Sequence, residues 1–203
     1  MALSQKKILT TIMVVFLLVL LPMGSYYFLS QGKDLWDKRE VADYTLTDQA
    51  GETFALAQLD GKVHVAAFLF SSCASPYCQD VLATQAYLQE KFRNEDDFVM
   101  LTITIDPEVD SVATIRAWAD SAGAKYGKWM FLTGEKEAIQ RVAVTSYSIT
   151  KLRFREERFS KIKASPKLVL IGRDGYIKGY YKTGEDDREE LVEAIQAQLN
   201  PAE

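Results

Sequence analysis

The sequence predicts an α/β sandwich, a central mixed sheet flanked by helices, on three observations. Strand-like segments alternate with helical ones across residues 43–199 and end in a hairpin and a helix, the order that builds a layered α/β domain. Two of the strand segments, 63–70 and 98–105, are nearly continuous apolar runs, as expected of strands covered on both faces. The first run ends in Ser71-Ser72-Cys73-Ala74-Ser75-Pro76-Tyr77-Cys78, which holds both cysteines of the chain at a strand-to-helix turn.

The elements follow in chain order. Asp43-Tyr44-Thr45-Leu46-Thr47 and Thr53-Phe54-Ala55-Leu56 alternate polar and apolar residues around Asp48-Gln49-Ala50-Gly51, the pattern of a β-hairpin. Asp60-Gly61 turns the chain into strand 63–70. Val81, Leu82, Tyr87, Leu88 and Phe92 recur at helical spacing, so a helix runs from Pro76 or Tyr77 to about Arg93, with Ser75 at its N-cap and Cys78 in its first turn. Segment 98–105 is a central parallel strand ending at Asp106-Pro107-Glu108. A helix over 112–122, with Ile115, Trp118 and Ala119 inward, stops at Gly123. A short strand at 129–132 and a helix from Lys136 to about Val144 come next. Residues 145–164 carry no clear period, and 151–163 reads as a charged, solvated loop or hairpin. Strand 167–171, the Arg173-Asp174-Gly175 turn, strand 176–181 and a closing amphipathic helix over 189–199 complete a thioredoxin-type arrangement.

A tethering segment precedes this domain. Residues 8–29 carry no charge, and as a helix they would span ~33 Å, about one hydrocarbon core. The reading is a cytoplasmic tail at 1–7, a single transmembrane anchor at 8–29, a polar tether at 30–42 and the thioredoxin-like domain at 43–203. A cleaved signal peptide is the rival, but the small-residue pattern around Met23-Gly24-Ser25 is poor and no cysteine stands ready for lipid attachment. Lys6 and Lys7 with the short N-terminal tail place the domain on the outer, periplasmic face. With 24 Lys plus Arg against 28 Asp plus Glu, the net charge is −4. No basic stripe is present to track phosphates, so nucleic acid is not an expected partner.

Two cysteines separated by four residues are too local to frame a chain of 203 residues. A thiol beside a helix N-terminus is stabilised as thiolate by unpaired N–H groups and the helix dipole, which suits thiol–disulfide exchange or soft-metal binding. A turn before Ser75 would bring the two Cα atoms within the roughly 4.4–6.8 Å that a disulfide needs. A fixed structural staple is the alternative, and spacing alone leaves both open. His64, the single histidine, lies nine residues before Cys73, roughly 25–30 Å away along a strand. It reads as a half-buried or edge-facing strand residue and not as a ligand. Met100 and Met130 sit in apolar runs and read as core.

Asp43-Tyr44-Thr45-Leu46-Thr47-Asp48-Gln49 with Gly51, Leu59-Asp60-Gly61-Lys62-Val63, the Phe-rich strand into Cys73, Thr104-Ile105-Asp106-Pro107-Glu108 with Asp110, Phe131-Leu132-Thr133-Gly134 and Leu170-Ile171-Gly172 with Asp174-Gly175 resemble the Sco/SenC family. The resemblance covers most of the chain after Asp43. It implies a membrane-tethered thioredoxin fold that helps assemble the dinuclear copper site of cytochrome c oxidase, binding copper through two cysteines and a distant histidine and exchanging thiols and disulfides. Two residues depart from that pattern. The family's cysteines are separated by three residues with a proline after each, whereas four residues separate Cys73 and Cys78 and Gln79 follows. Ala164 falls where the copper histidine would stand, so a family-like site would lose the imidazole that completes its coordination.

By the same resemblance, Cys73 is the exposed attacking thiol and Cys78 the resolving one, and both are the candidate copper ligands. Pro166, before strand 167–171, occupies the place of the cis-proline that faces the cysteine pair in thioredoxin-like oxidoreductases; a proline that merely starts the strand is the other reading. Three functions stand side by side. One is a thiol–disulfide oxidoreductase acting on an oxidase subunit or another exported thiol protein. The second is a Cu(I) chaperone completing its site with a partner's ligand, and the third a non-catalytic binding module with a structural disulfide.

Overall fold

The structure is a computed structural model that describes residues 39–149, 167–184 and 187–200. The anchor at 8–29, most of the tether, Ala164 and Pro166 lie outside the described residues. Among the described residues no helix is long and apolar enough to cross a membrane.

Among the described residues seven strands form one mixed sheet in the order β2-β1-β5-β4-β3-β6-β7. They are β1 (Thr45–Asp48), β2 (Thr53–Ala55), β3 (Val63–Leu69), β4 (Phe98–Thr104), β5 (Trp129–Thr133), β6 (Lys167–Ile171) and β7 (Ile177–Lys182). The helices are α1 (Pro76–Lys91), α2 (Val112–Ser121), α3 (Lys136–Arg141) and α4 (Arg188–Leu199). The two long apolar runs are the inner strands. Every residue of β3 and β4 is buried, and the two pair in parallel from Val63 opposite Phe98 to Leu69 opposite Thr104. β4 also runs parallel to β5, while β6 lies antiparallel to β3 and β7 antiparallel to β6. The N-terminal hairpin joins the other side through β1, antiparallel to β5. The chain reaches the sheet by Glu40, which bridges to Tyr176, and Val41 is buried.

Alternation along the strands assigns the two faces. Thr102, Trp129 and Phe131 share one face, since Thr102 stands opposite Phe131 and Met100 opposite Trp129. Gln85 of α1 reaches that face to accept from the Thr102 hydroxyl at 3.0 Å, and Trp118 of α2 meets Phe131 edge-on at 5.1 Å between centroids. α4 joins the same layer through Arg188, whose Nε donates to Thr84 of α1 at 3.3 Å. Phe68 and His64 point to the opposite face, closed by Tyr147, which stacks edge-on against Phe68 at 5.3 Å. The expected central mixed sheet flanked by helices is therefore present, with Ile115 and Ala119 of α2 buried and Met100 and Met130 in the core.

Two local expectations change. The helix from Lys136 was expected to run regularly to about Val144, but its α-helical part ends at Arg141 and continues as a π-helical turn, Val142–Ser146. That wider turn delivers Tyr147 into the core, where it is fully buried. His64 was expected to be half-buried or edge-facing. It is 3% exposed on an internal strand, with Nε2 at 3.2 Å from the Tyr147 hydroxyl. The correction has a structural cause: β3 is an inner strand paired on both sides, and Tyr147 packs on the face to which His64 points.

A candidate redox site at the ends of the parallel strands

Parallel strands leave the sheet at the same edge, so the loops after β3, β4 and β5 converge. The Ile105 N–H donates to the Leu69 carbonyl at 2.8 Å, and Thr133 Oγ1 donates to the Asp110 carbonyl at 2.8 Å, tying the three ends together. β6 runs antiparallel to β3 and so begins, at Lys167, at this same edge.

Cys73 and Cys78 meet here. They are joined as a disulfide with Cα atoms 6.3 Å apart, inside the range that such a bond accepts. Cys73 sits in loop 70–75, half-buried, its N–H donating to the Phe70 carbonyl at 3.1 Å. Cys78 is 3% exposed. It lies in the first turn of α1, where its N–H donates to the Ser75 carbonyl at 3.0 Å and Pro76 occupies the first helical position. Ser75 is the N-cap by backbone conformation, though its side chain makes no capping bond. One cysteine of the pair is thus partly exposed and the other is buried.

A buried carboxylate also stands at this edge, Asp110, which the sequence marks only as part of the motif after β4 and not as a site residue. Asp110 is fully buried. Its Oδ2 accepts from the Ser71 N–H at 3.0 Å and from the Thr104 hydroxyl, and its Oδ1 from the Ser71 hydroxyl. The available signal was an acid four residues beyond Asp106, at the end of a strand parallel to the cysteine strand.

His64 takes no part in this edge, since it stands at the start of β3 and the cysteines follow its end. Instead its Nε2 and the hydroxyls of Tyr147 and Tyr44 form a buried chain, with the two hydroxyls 2.8 Å apart. Burial holds the imidazole down at about 3 and pushes both phenols above their ordinary value. His64 is therefore neutral at physiological pH and packs as part of the core. Among the described residues no cluster of three or more His, Cys, Asp or Glu side chains is placed to hold a metal ion.

The family model described as SCO1/SenC matches residues 33–200. The chain belongs to the SCO1/SenC family. It is 28% identical over 141 residues to the SCO1 protein homolog of Bacillus subtilis (strain 168), covering 68% of this chain and 71% of that one. Among solved structures it is similar to BsSco, described through its disulfide switch as a member of the Sco family of cytochrome c oxidase assembly proteins. There the TM-score is 0.66 at 23% identity, over 81% of this chain and 95% of that one. It is also similar to copper-bound ScoI of Bradyrhizobium japonicum, with TM-score 0.64 and 20% identity over 78% of this chain and 99% of the other. These likenesses establish a thioredoxin-like Sco fold for this SCO1/SenC chain, and the cysteine loop stands where that fold leaves its parallel strands.

Proposed function

We propose that this SCO1/SenC protein is a thiol–disulfide oxidoreductase that acts through Cys73 and Cys78 on cysteines of an oxidase subunit or another exported protein, in support of cytochrome c oxidase copper-site assembly. The observation that carries the reading is the asymmetry of the pair, a half-buried Cys73 in a loop bonded to a buried Cys78 in a helix's first turn. In the reduced protein the Cys73 thiolate attacks a client disulfide, forming a mixed disulfide and releasing one client thiolate. Cys78 then attacks Cys73, closing the internal disulfide and releasing the second client thiolate. Two electrons pass to the client, which takes up two protons as its thiolates become thiols. The disulfide-switch description of BsSco supports this reading.

The test follows from the order of attack. Cys78→Ser leaves the mixed disulfide unresolved and is expected to trap a covalent client complex in cells expressing the oxidase, whereas Cys73→Ser is not. A fixed staple predicts that both substitutions destabilise the domain by a similar ~2–3 kcal/mol and that neither traps a client; that result would overturn the oxidoreductase reading and leave a binding module.

Copper-bound relatives support a second reading, with Cu(I) as cargo. The residues present fit it in part. Two thiols offer a soft pair of ligands, while the position aligned with the family's histidine is Ala164, so a third ligand would come from the partner that receives the ion. Stoichiometric Cu(I) held by the reduced protein, with no trapped client, would favour this reading.

Residues 8–29 are proposed to anchor the chain, with the domain on the outer, periplasmic face. In reduced cells with a permeabilised outer envelope and an intact inner membrane, a membrane-impermeant maleimide is expected to label Cys73. Labelling only after inner-membrane lysis would place the domain in the cytoplasm, where the proposed chemistry has no oxidising surroundings.

A further inference from the structure

We infer that Asp110 is a positioning residue for the cysteine pair, holding loop 70–75 through Ser71 so that Cys73 stays poised over Cys78 after the disulfide has opened. The inference rests on the thiol–disulfide reading for its biological use, but not for its measurement.

In the oxidised protein the loop is held at two places, by the disulfide to α1 and by Ser71 to Asp110. Reduction removes the first. What remains is the grip on Ser71, made to both its backbone N–H and its hydroxyl, together with the Cys73 N–H to Phe70 carbonyl bond. Ser71 is two residues from Cys73, so this grip limits how far the freed sulfur can wander. Asp110 is itself anchored: its backbone N–H donates to the Asp106 carbonyl at 2.8 Å, its carbonyl accepts from Thr133, and its carboxylate also accepts from Thr104. The clamp is therefore seated on the ends of β4 and β5, which do not depend on the disulfide.

The physical consequence is on the closing equilibrium. Two thiols held near bonding geometry have a high effective concentration toward each other, and loosening one of them lowers it. A buried carboxylate receiving three donors is also a stiff anchor, because charge-assisted hydrogen bonds are stronger than neutral ones. A weakened clamp should leave the oxidised form little changed and make the reduced form more disordered, so the disulfide becomes easier to reduce.

The test is the equilibrium of the detergent-solubilised full chain with dithiothreitol, in which reduced dithiothreitol is oxidised to its cyclic disulfide as Cys73–Cys78 takes up two electrons and two protons. Ser71→Ala removes the hydroxyl bond and keeps the carboxylate. It is expected to lower the closing constant about tenfold, which makes the reduction potential ~30 mV less negative. Asp110→Ala should shift it further in the same direction, Asp110→Asn less than Asp110→Ala, and Ser71→Thr should stay within twofold of the parent. Trp129→Phe, which loses a buried hydrogen bond away from the loop, should lower stability without moving the potential. Ser71→Ala also decides the matter if Asp110→Ala fails to fold. A closing constant unchanged within twofold for Ser71→Ala, or one that moves only when the Asp110 charge is removed, would overturn the positioning role. Failure to trap a client with Cys78→Ser would overturn the proposed function while leaving this result standing.

Discussion

Replacing Trp129 by alanine is expected to cost the domain about 3–5 kcal/mol, a large share of the stability of any domain of this size. Trp129 is fully buried at the start of β5, tilted against Phe131 with ring centroids 5.3 Å apart. Its indole N–H donates to Thr102 Oγ1 at 2.9 Å. Thr102 in turn donates to Gln85 Oε1 at 3.0 Å, and Gln85 Nε2 donates to the Leu101 carbonyl at 3.2 Å. Alanine would empty the space of an indole and deprive the threonine oxygen of its donor, at the joint where α1 meets β4 and β5. Trp129→Phe should cost much less, since most of the packing volume stays. Chemical denaturation of both variants measures the difference. Equal, small losses would mean that neighbouring side chains collapse into the vacated space.

Acid should weaken the domain through His64. In the unfolded chain the imidazole takes a proton near its ordinary value of about 6.5, while in the fold burial holds it down at about 3. Between those limits the unfolded state binds a proton that the folded state refuses, so stability rises with pH there and falls as pH drops from 6.5 toward 3. The contribution is fully present above 6.5, and its slope is about 1.4 kcal/mol per pH unit within the window. Tyr44 and Tyr147, pushed upward by burial, keep their protons throughout and do not compensate. His64 also lines a cleft of about 250 Å³ with Glu40, Asp43, Asp60, Lys62, Arg173 and Asp174. Burial is nonetheless what moves its titration. His64→Phe retains a ring against Tyr147 and removes the titrating group. Its unfolding free energy measured between pH 6 and 4 should show a shallower slope than that of the parent. Parallel slopes would show that the imidazole takes up its proton in the folded protein as well.

The order of elements was legible in the residues because each is marked locally. The runs that became β3 and β4 are apolar along their whole length, and such segments are stable only between two layers. The hairpin turn is marked by Asp48 and Gly51: the carboxylate accepts from the Ala50 and Glu52 N–H groups at 2.8 and 2.9 Å, and Gly51 takes a positive φ of 88°. Pro76 after Ser75 set the start of α1 and so put Cys78 in its first turn. The cysteine pair itself, its spacing within disulfide reach and the SCO1/SenC resemblance were all readable without coordinates.

Contacts between residues distant in the chain were not readable in that way. His64 looked like a residue of an edge because its sequence neighbours do not reveal that β4 and β6 pair on either side of its strand. Its partner Tyr147 is 83 residues away and arrives through a π-helical turn that no periodicity announces. Asp110 and Ser71 are 39 residues apart and meet because β3 and β4 are parallel and end at one edge. Local pattern determines which segments become strands and helices, since it depends on spacing within one element. Strand order and direction depend on how all the apolar faces are buried together, and they decide which loops share an edge and which carboxylate holds the loop of a thiol.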